Sequence, residues 1–471
     1  MNILLVEPDF PYPSKSKNSA NSTHKNFVPI GLLKLSSLYK NKYKSTNILV
    51  RGNVKKEIIG FKPDEILVTS LFTYWSKYVW NCICYYRKMF PSSIIRLGGI
   101  YSTLHADNKV FLNLAKNNRV KIFKGLNYDA EKYLPDYSIV GDVEYHATHI
   151  MRGCIRKCEF CGTWKLEPKL IYKKCEEIVK EIETVGKTKV IFYDNNILAN
   201  PYIKEVLQEL EKIRIGTRFV TYEAQSGFDG RIVQKNTDLA KQIRKARFSN
   251  IKIAWDNSVK DSKNIKDQIR IFEQAGFKAK DISVFMIYNY KVSYGDMLKK
   301  IVLCEKLGVQ INDCRFRPLE SVHDEYNAHI KYEQTEKDYY INKECGWTDK
   351  LIKAFRSRVR KHNIWIRYAK DKGQKYDRSM ERWSSINSIY KYFKLGTAPK
   401  YGIIENSKNL QQKIRNLNKL KGMCTRGDCN SDNIRRMSVV ELEKFMSKNY
   451  KKPSNVEIPR DQEKGTAVLA Q

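Results

Sequence analysis

Apolar runs of strand length recur from residue 2 to residue 316, with helical amphipathic patterns between them, and that alternation restricts the chain to α/β architectures. Asn2–Val6, Asn47–Val50, Glu65–Ser70 and Ser92–Leu97 read as buried strands, and a helix opens at Pro29-Ile30-Gly31 with Leu35 and Leu38 on its apolar side. Strands that alternate with helices pair in parallel and are covered on both faces, so residues 1–138 are expected to form a doubly wound, Rossmann-like sheet. From 139 to 325 the candidate strands are Tyr145–Met151, Lys189–Tyr193, Arg218–Glu223, Ile251–Trp255, Asp281–Tyr288 and Val309–Phe316. Helices separate them: Pro201 precedes Ile203, Val206, Leu207, Leu210 and Ile213 at helical spacing, and Thr237 is placed to cap a helix carrying Leu239, Ile243 and Ala246. Six strands with crossover helices predict a partial β/α barrel whose strand carboxyl ends share one face, where such folds place their chemistry. Residues 326–450 read as a mainly helical domain, opening on a helix capped by Thr348 with Leu351, Ile352, Phe355 and Val359 inward and Arg356, Arg360 and Lys361 outward. Residues 451–471 are polar and are expected to fray.

Three of the eleven cysteines fall within eight residues, in Met151-Arg152-Gly153-Cys154-Ile155-Arg156-Lys157-Cys158-Glu159-Phe160-Cys161-Gly162. The chain starts without a cationic secretory segment and has no run of about 18 apolar residues, so it is expected to be cytoplasmic, to span no membrane and to keep its cysteines as thiols. Clustered thiols in a reducing compartment point to metal. A structural zinc would need a fourth ligand, and no second Cys/His pair follows at finger spacing. Three thiolates can instead hold three irons of a cubane and leave the fourth open. Arg152, Arg156 and Lys157 are expected to favour the thiolates, Gly153 to allow close backbone approach, and Phe160 to offer an apolar face to an adenine.

Cys154-x-x-x-Cys158-x-x-Cys161 directly after a strand, with an aromatic residue before the last cysteine, resembles the radical S-adenosylmethionine (SAM) superfamily. That resemblance implies a [4Fe–4S] cluster on these three cysteines, chelation of SAM by the open iron, and reductive cleavage to methionine and a 5′-deoxyadenosyl radical. It also implies an electron donor such as ferredoxin or flavodoxin. The expected SAM contacts are Phe160 and Gly162 beside the last cysteine, then Asp194 and Asn195, Glu223 and Gln225, Asp256, and Arg315 at successive strand ends. Turn formation, capping or mutual pairing are the ordinary roles of such residues and compete with ligand contact. The family's usual Gly-Gly-Glu after the second strand is replaced here by Asp194-Asn195.

The N-terminal layout resembles the cobalamin-binding domain of one radical SAM subfamily, with Thr69, Ser70, Gly98 and Gly99 expected to face the corrinoid. The Asp-x-His-x-x-Gly motif that ligates cobalt is absent. If cobalamin binds, the implied reaction is methyl transfer; without it, rearrangement or cyclisation chemistry. The formal charge is +35, and residues 351–421 hold nineteen Lys or Arg against four acidic residues, interleaved with Trp365, Trp383, Tyr390 and Phe393. That pattern suits RNA, or a solvated helical cap with inward aromatics. A non-catalytic, metal-stabilised nucleic-acid binder is therefore the alternative functional class. Cys345, Cys424 and Cys429 are expected to be isolated thiols, with a second metal site as the competing reading.

Overall fold

The computed structural model describes residues 1–11, 27–54, 58, 60–327, 330 and 333–370. The N-terminal elements are β1 (Asn2–Glu7), α1 (Ile30–Tyr43), β2 (Thr46–Arg51), β3 (Glu65–Ser70), α2 (Ser76–Met89), β4 (Ile94–Gly99), α3 (Ile100–His105), α4 (Lys109–Asn117) and β5 (Val120–Ile122). All pairings are parallel and the order is β2-β1-β3-β4-β5. Ile3, Leu4, Leu5 and Val6 are fully buried on alternate faces of β1, which explains its uninterrupted apolar run. The order reverses beside β1, and the chain leaving the neighbouring carboxyl ends brings Phe10, Phe72 and Trp75 into one aromatic cluster there.

The second unit comprises β6 (His146–Thr148), β7 (Met151–Arg152), α5 (Thr163–Leu166), β8 (Ile171–Tyr172), α6 (Cys175–Val185), β9 (Lys189–Phe192), α7 (Ile203–Lys212), β10 (Arg214–Ile215), β11 (Arg218–Phe219), β12 (Thr221–Ala224), α8 (Gly230–Lys235), α9 (Asp238–Lys245), β13 (Phe248–Ser249), β14 (Ile251–Ala254), α10 (Ser262–Gln274), β15 (Ile282–Tyr288), α11 (Tyr294–Leu307), β16 (Gln310–Arg315) and α12 (Asp349–Lys370). Two parallel sheets run β6-β9-β12-β13 and β14-β15-β16. Asn250, in the left-handed region at φ 54°, separates β13 from β14; the expected strand Ile251–Trp255 corresponds to β14, and β13 is additional to it. This mixed α/β arrangement is consistent with a TIM-like fold.

The units pack on one another. Leu33 of α1 joins Val143, Tyr145, Ala147 of β6 and Ile191 of β9 in one buried cluster. Thr348 accepts from the Leu351 amide at 3.2 Å at the start of α12, and Ile352, Phe355 and Val359 are buried as expected. Arg356 departs from the outward placement: it donates to Tyr326 Oη (3.0 Å) and lies 3.7 Å from Asp313 on β16. Arg358 likewise pairs with Glu305 at 2.6 Å, so two of the basic residues counted toward an RNA surface are engaged within the fold. Trp383, Tyr390, Phe393, Cys424, Cys429 and the 451–471 tail lie outside the described residues.

Candidate cluster and cofactor site

The cysteine loop leaves the carboxyl end of β6 and returns through α5 and β8, which pairs antiparallel with β7. Asp194, at the end of β9, fastens its start: the buried carboxylate accepts from the Met151 amide at 2.7 Å and from the Ile150 amide at 3.1 Å. Burial raises its pKa to about 7 against the pull of those two amides. Asp194 is thus engaged with backbone, the capping role its position also allowed.

Gly153 takes φ +82°, and a Cβ there would meet Lys169 O at 2.8 Å and Glu167 O at 3.1 Å. Only glycine passes this point without displacing the returning strand. The Gly153 amide donates to Glu167 Oε2 (2.7 Å), which also accepts from Asn195 Nδ2 (3.0 Å). Asn195 Oδ1 accepts from the Thr163 hydroxyl (3.3 Å), and Thr163 Oγ1 accepts in turn from the Cys161 thiol at 3.2 Å. A continuous chain of hydrogen bonds therefore runs from the end of β9 to one thiol.

The cations expected around the sulfurs are placed differently. Arg152 turns away, bidentate on Glu131 of the N-terminal unit (2.6 and 3.1 Å) and bonded to Glu167 (2.9 Å) and His149 (3.0 Å). Arg156 donates to Asp229 at 3.0 Å, while its backbone amide points at Cys154 Sγ (3.3 Å). Lys157 is exposed. The positive group nearest Cys158 in effect is Arg231, held by Asp229, and it opposes the burial and the neighbouring Cys161 and Asp256 that raise the Cys158 pKa.

The remaining strand ends converge on the same face. Glu223 is buried and paired with Lys252 at 2.7 Å; Lys252 also reaches the Gln225 carbonyl at 3.2 Å. Asp256 follows β14, with its pKa raised to about 6 by burial, against the pull of Lys300 and Arg231. Phe160 meets Tyr290 edge-on at 5.7 Å, and Gly162 packs against Leu104 of α3 with no room to spare, a Cβ there lying 3.2 Å from Leu104. Arg315 binds Asp324 through Nη2 at 2.6 and 2.8 Å. His146 is buried between Tyr137 and Glu181, a satisfied core histidine. Glu131, Glu167, Asp229 and Arg231 went unrecognised in the sequence, because isolated charges show no periodicity.

The donor set fits a cluster. The three thiols are partly accessible and unpaired. Among the described residues no three His, Cys, Asp or Glu side chains converge as they would around one metal ion. A cubane spreads its thiolates over separate irons and needs no such convergence.

Cobalamin fares otherwise. The Ser70 hydroxyl donates to Gly98 O (2.7 Å) and accepts from the Ser102 amide (3.0 Å). Thr69 pairs with Gly98 in the β3–β4 ladder. Gly99, at φ +100°, has no room for a Cβ because Ser70 O would lie 2.1 Å away. Ser70 and Gly99 are thus engaged within the sheet, whereas Gly98, where a Cβ would meet only Phe123 at 3.8 Å, and the half-buried Thr69 side chain are not, and none of the four singles out a corrinoid.

Three thiols therefore share one loop after the first strand of the second parallel β/α unit. Residues 148–296 match the family model of the radical SAM superfamily, so the chain carries a radical SAM domain with the cysteines near its start. No curated protein matches the chain. Among the described residues no helix is long and apolar enough to cross a membrane.

Proposed function

We propose that this protein is a radical SAM enzyme, with Cys154, Cys158 and Cys161 as the cluster ligands. The single observation that carries the reading is the three-thiol loop anchored to a β9 strand end inside a matched radical SAM domain. When bound, the [4Fe–4S] cluster and SAM supply one-electron cleavage of the sulfonium and a 5′-deoxyadenosyl radical that takes a hydrogen atom from substrate. The chain's own contribution is positional. Asp194 and Glu167 hold the loop backbone, Asp229 fixes Arg156 and Arg231 beside it, and the strand-end groups Glu223, Gln225 and Asp256 stand at the face where SAM would lie. An external one-electron donor of the ferredoxin or flavodoxin type completes the stoichiometry. The proposal stops at SAM cleavage and does not extend to cobalamin-borne methyl transfer.

The test is anaerobic reconstitution with iron and sulfide, then dithionite and SAM. Release of 5′-deoxyadenosine that disappears in Cys154→Ala, Cys158→Ala and Cys161→Ala supports the reading. Neither cluster absorption nor 5′-deoxyadenosine from the wild-type protein would remove it and favour a metal-stabilised binding protein.

A further inference from the structure

We propose that Arg317, where the end of β16 meets Tyr74 of the N-terminal unit, binds an anionic group of the substrate, a carboxylate or a phosphate, with Arg315 behind it. The word substrate rests on the radical SAM reading; the anion site does not.

Arg315 and Arg317 stand two apart where β16 ends. The Arg315 side chain is 4% exposed, lies between the rings of Tyr326 (4.6 Å) and Tyr339 (5.0 Å), and gives two hydrogen bonds to Asp324 from Nη2. Its Nη1 is buried with no acceptor among the described residues. Arg317 lies over the Tyr74 ring at 3.9 Å. Its Nε is 3.4 Å from Asp324 but lacks hydrogen-bond geometry, and among the described residues its guanidinium donates no hydrogen bond. The next carboxylate, Asp313, faces Arg356.

Asp324 therefore answers two guanidinium charges, and one positive charge is left over. Burial, followed by the neighbouring Arg315 charge, pulls the Arg317 pKa down. Yet 26% of the Arg317 side chain stays accessible, so a small anion can reach it. A desolvated cation without a full partner is costly, and an arriving anion removes that cost. A planar guanidinium with free donors suits carboxylate or phosphate oxygens, which it can meet in pairs. Phe72 stacks on Tyr74 at 5.0 Å, so the ring that Arg317 covers is itself held in place and helps fix the guanidinium. The contacts of Arg317 are with Tyr74 and Asp324, not with the cysteine loop, which assigns the anion to substrate and not to the SAM carboxylate.

The experiment uses the full-length protein without cluster, with inorganic phosphate and acetate as probes and chloride at matched ionic strength as control. Phosphate, acetate or both should slow phenylglyoxal modification of Arg317, read by mass spectrometry, and raise the thermal midpoint. In Arg317→Gln the rise should vanish while SAM affinity of the reconstituted protein stays unchanged. Response to acetate alone marks a carboxylate, and to phosphate alone a phosphate ester. The proposal is overturned if chloride protects Arg317 equally, if Arg317→Gln responds like wild type, or if that variant loses SAM affinity in parallel. Should Arg317→Gln not fold, the wild-type modification readout decides alone. Anion protection without 5′-deoxyadenosine formation would sink the enzyme reading and leave this site standing.

Discussion

Replacing Glu131 by Ala should destabilise the protein and loosen the cysteine loop together, although Glu131 lies outside the radical SAM match. Its carboxylate is 19% exposed and serves two cations: Lys34 of α1 at 2.8 Å, 2% exposed, and Arg152 at 2.6 Å, 14% exposed. Breaking a buried pair by removing one partner costs about 3–5 kcal/mol. Arg152 retains Glu167, and Lys34, whose pKa burial already lowers, can shed its proton, so the expected loss sits near the lower end, about 3 kcal/mol. The released Arg152 would compete for Glu167, whose other oxygen holds the Gly153 amide one residue before Cys154. Urea unfolding measures the first effect, and iron per chain after anaerobic reconstitution the second. Glu131→Gln, which keeps the oxygen and loses the charge, should fall between Ala and wild type. The exposed pair Lys124–Asp107 is the control, and Asp107→Ala should change neither readout. A loss below about 1 kcal/mol in Glu131→Ala, or full iron retention, would refute the chain of contacts from α1 to the loop.

Two further outcomes follow from the same geometry. Gly153→Ala should deplete iron while all three thiols remain, because φ +82° and the 2.8 Å approach of Lys169 O both oppose a Cβ; Gly125→Ala, at φ +84° with open space around it, isolates the backbone term of about 1–2 kcal/mol and should keep its iron. Burial alone would raise the Glu181 pKa, but hydrogen bonding from His146 and the charge of Lys173 outweigh it and hold the carboxyl at about 2. Because the folded value is depressed, the stabilisation is complete above the ordinary value of 4.5 and is lost as pH falls toward 2. It amounts to about 3 kcal/mol, and the slope of stability against pH in that window should flatten in Glu181→Gln.

The architecture was legible wherever apolar runs were long. Lys189–Phe192, Ile282–Tyr288 and Gln310–Arg315 fall within or beside the expected strands, since a strand buried on both faces writes its bounds in Val, Ile and Phe. Val120–Ile122 escaped because a three-residue edge strand with a central lysine has no pattern to find. Phe248–Ser249 escaped likewise, because a two-residue strand is too short to carry a pattern. The cysteine loop was readable from spacing alone. The roles of its basic residues were not: charge next in sequence to a thiol suggested stabilisation of that thiol, whereas Arg152 and Arg156 are directed to carboxylates 21 and 73 residues away.

That displacement shows how the loop is held. A thiol loop that must take up a cluster cannot be stapled through its own cysteines, so its rigidity has to come from groups around it. Asp194 supplies it from β9, Asp229 from the segment after β12, and Glu131 from the other unit, each through a carboxylate on a backbone amide or a guanidinium. The sulfurs are left with only weak partners, an amide at 3.3 Å and a hydroxyl at 3.2 Å. Iron can displace such partners without disturbing the scaffold, and the strongest bonds near the site are those that do not have to break when it binds.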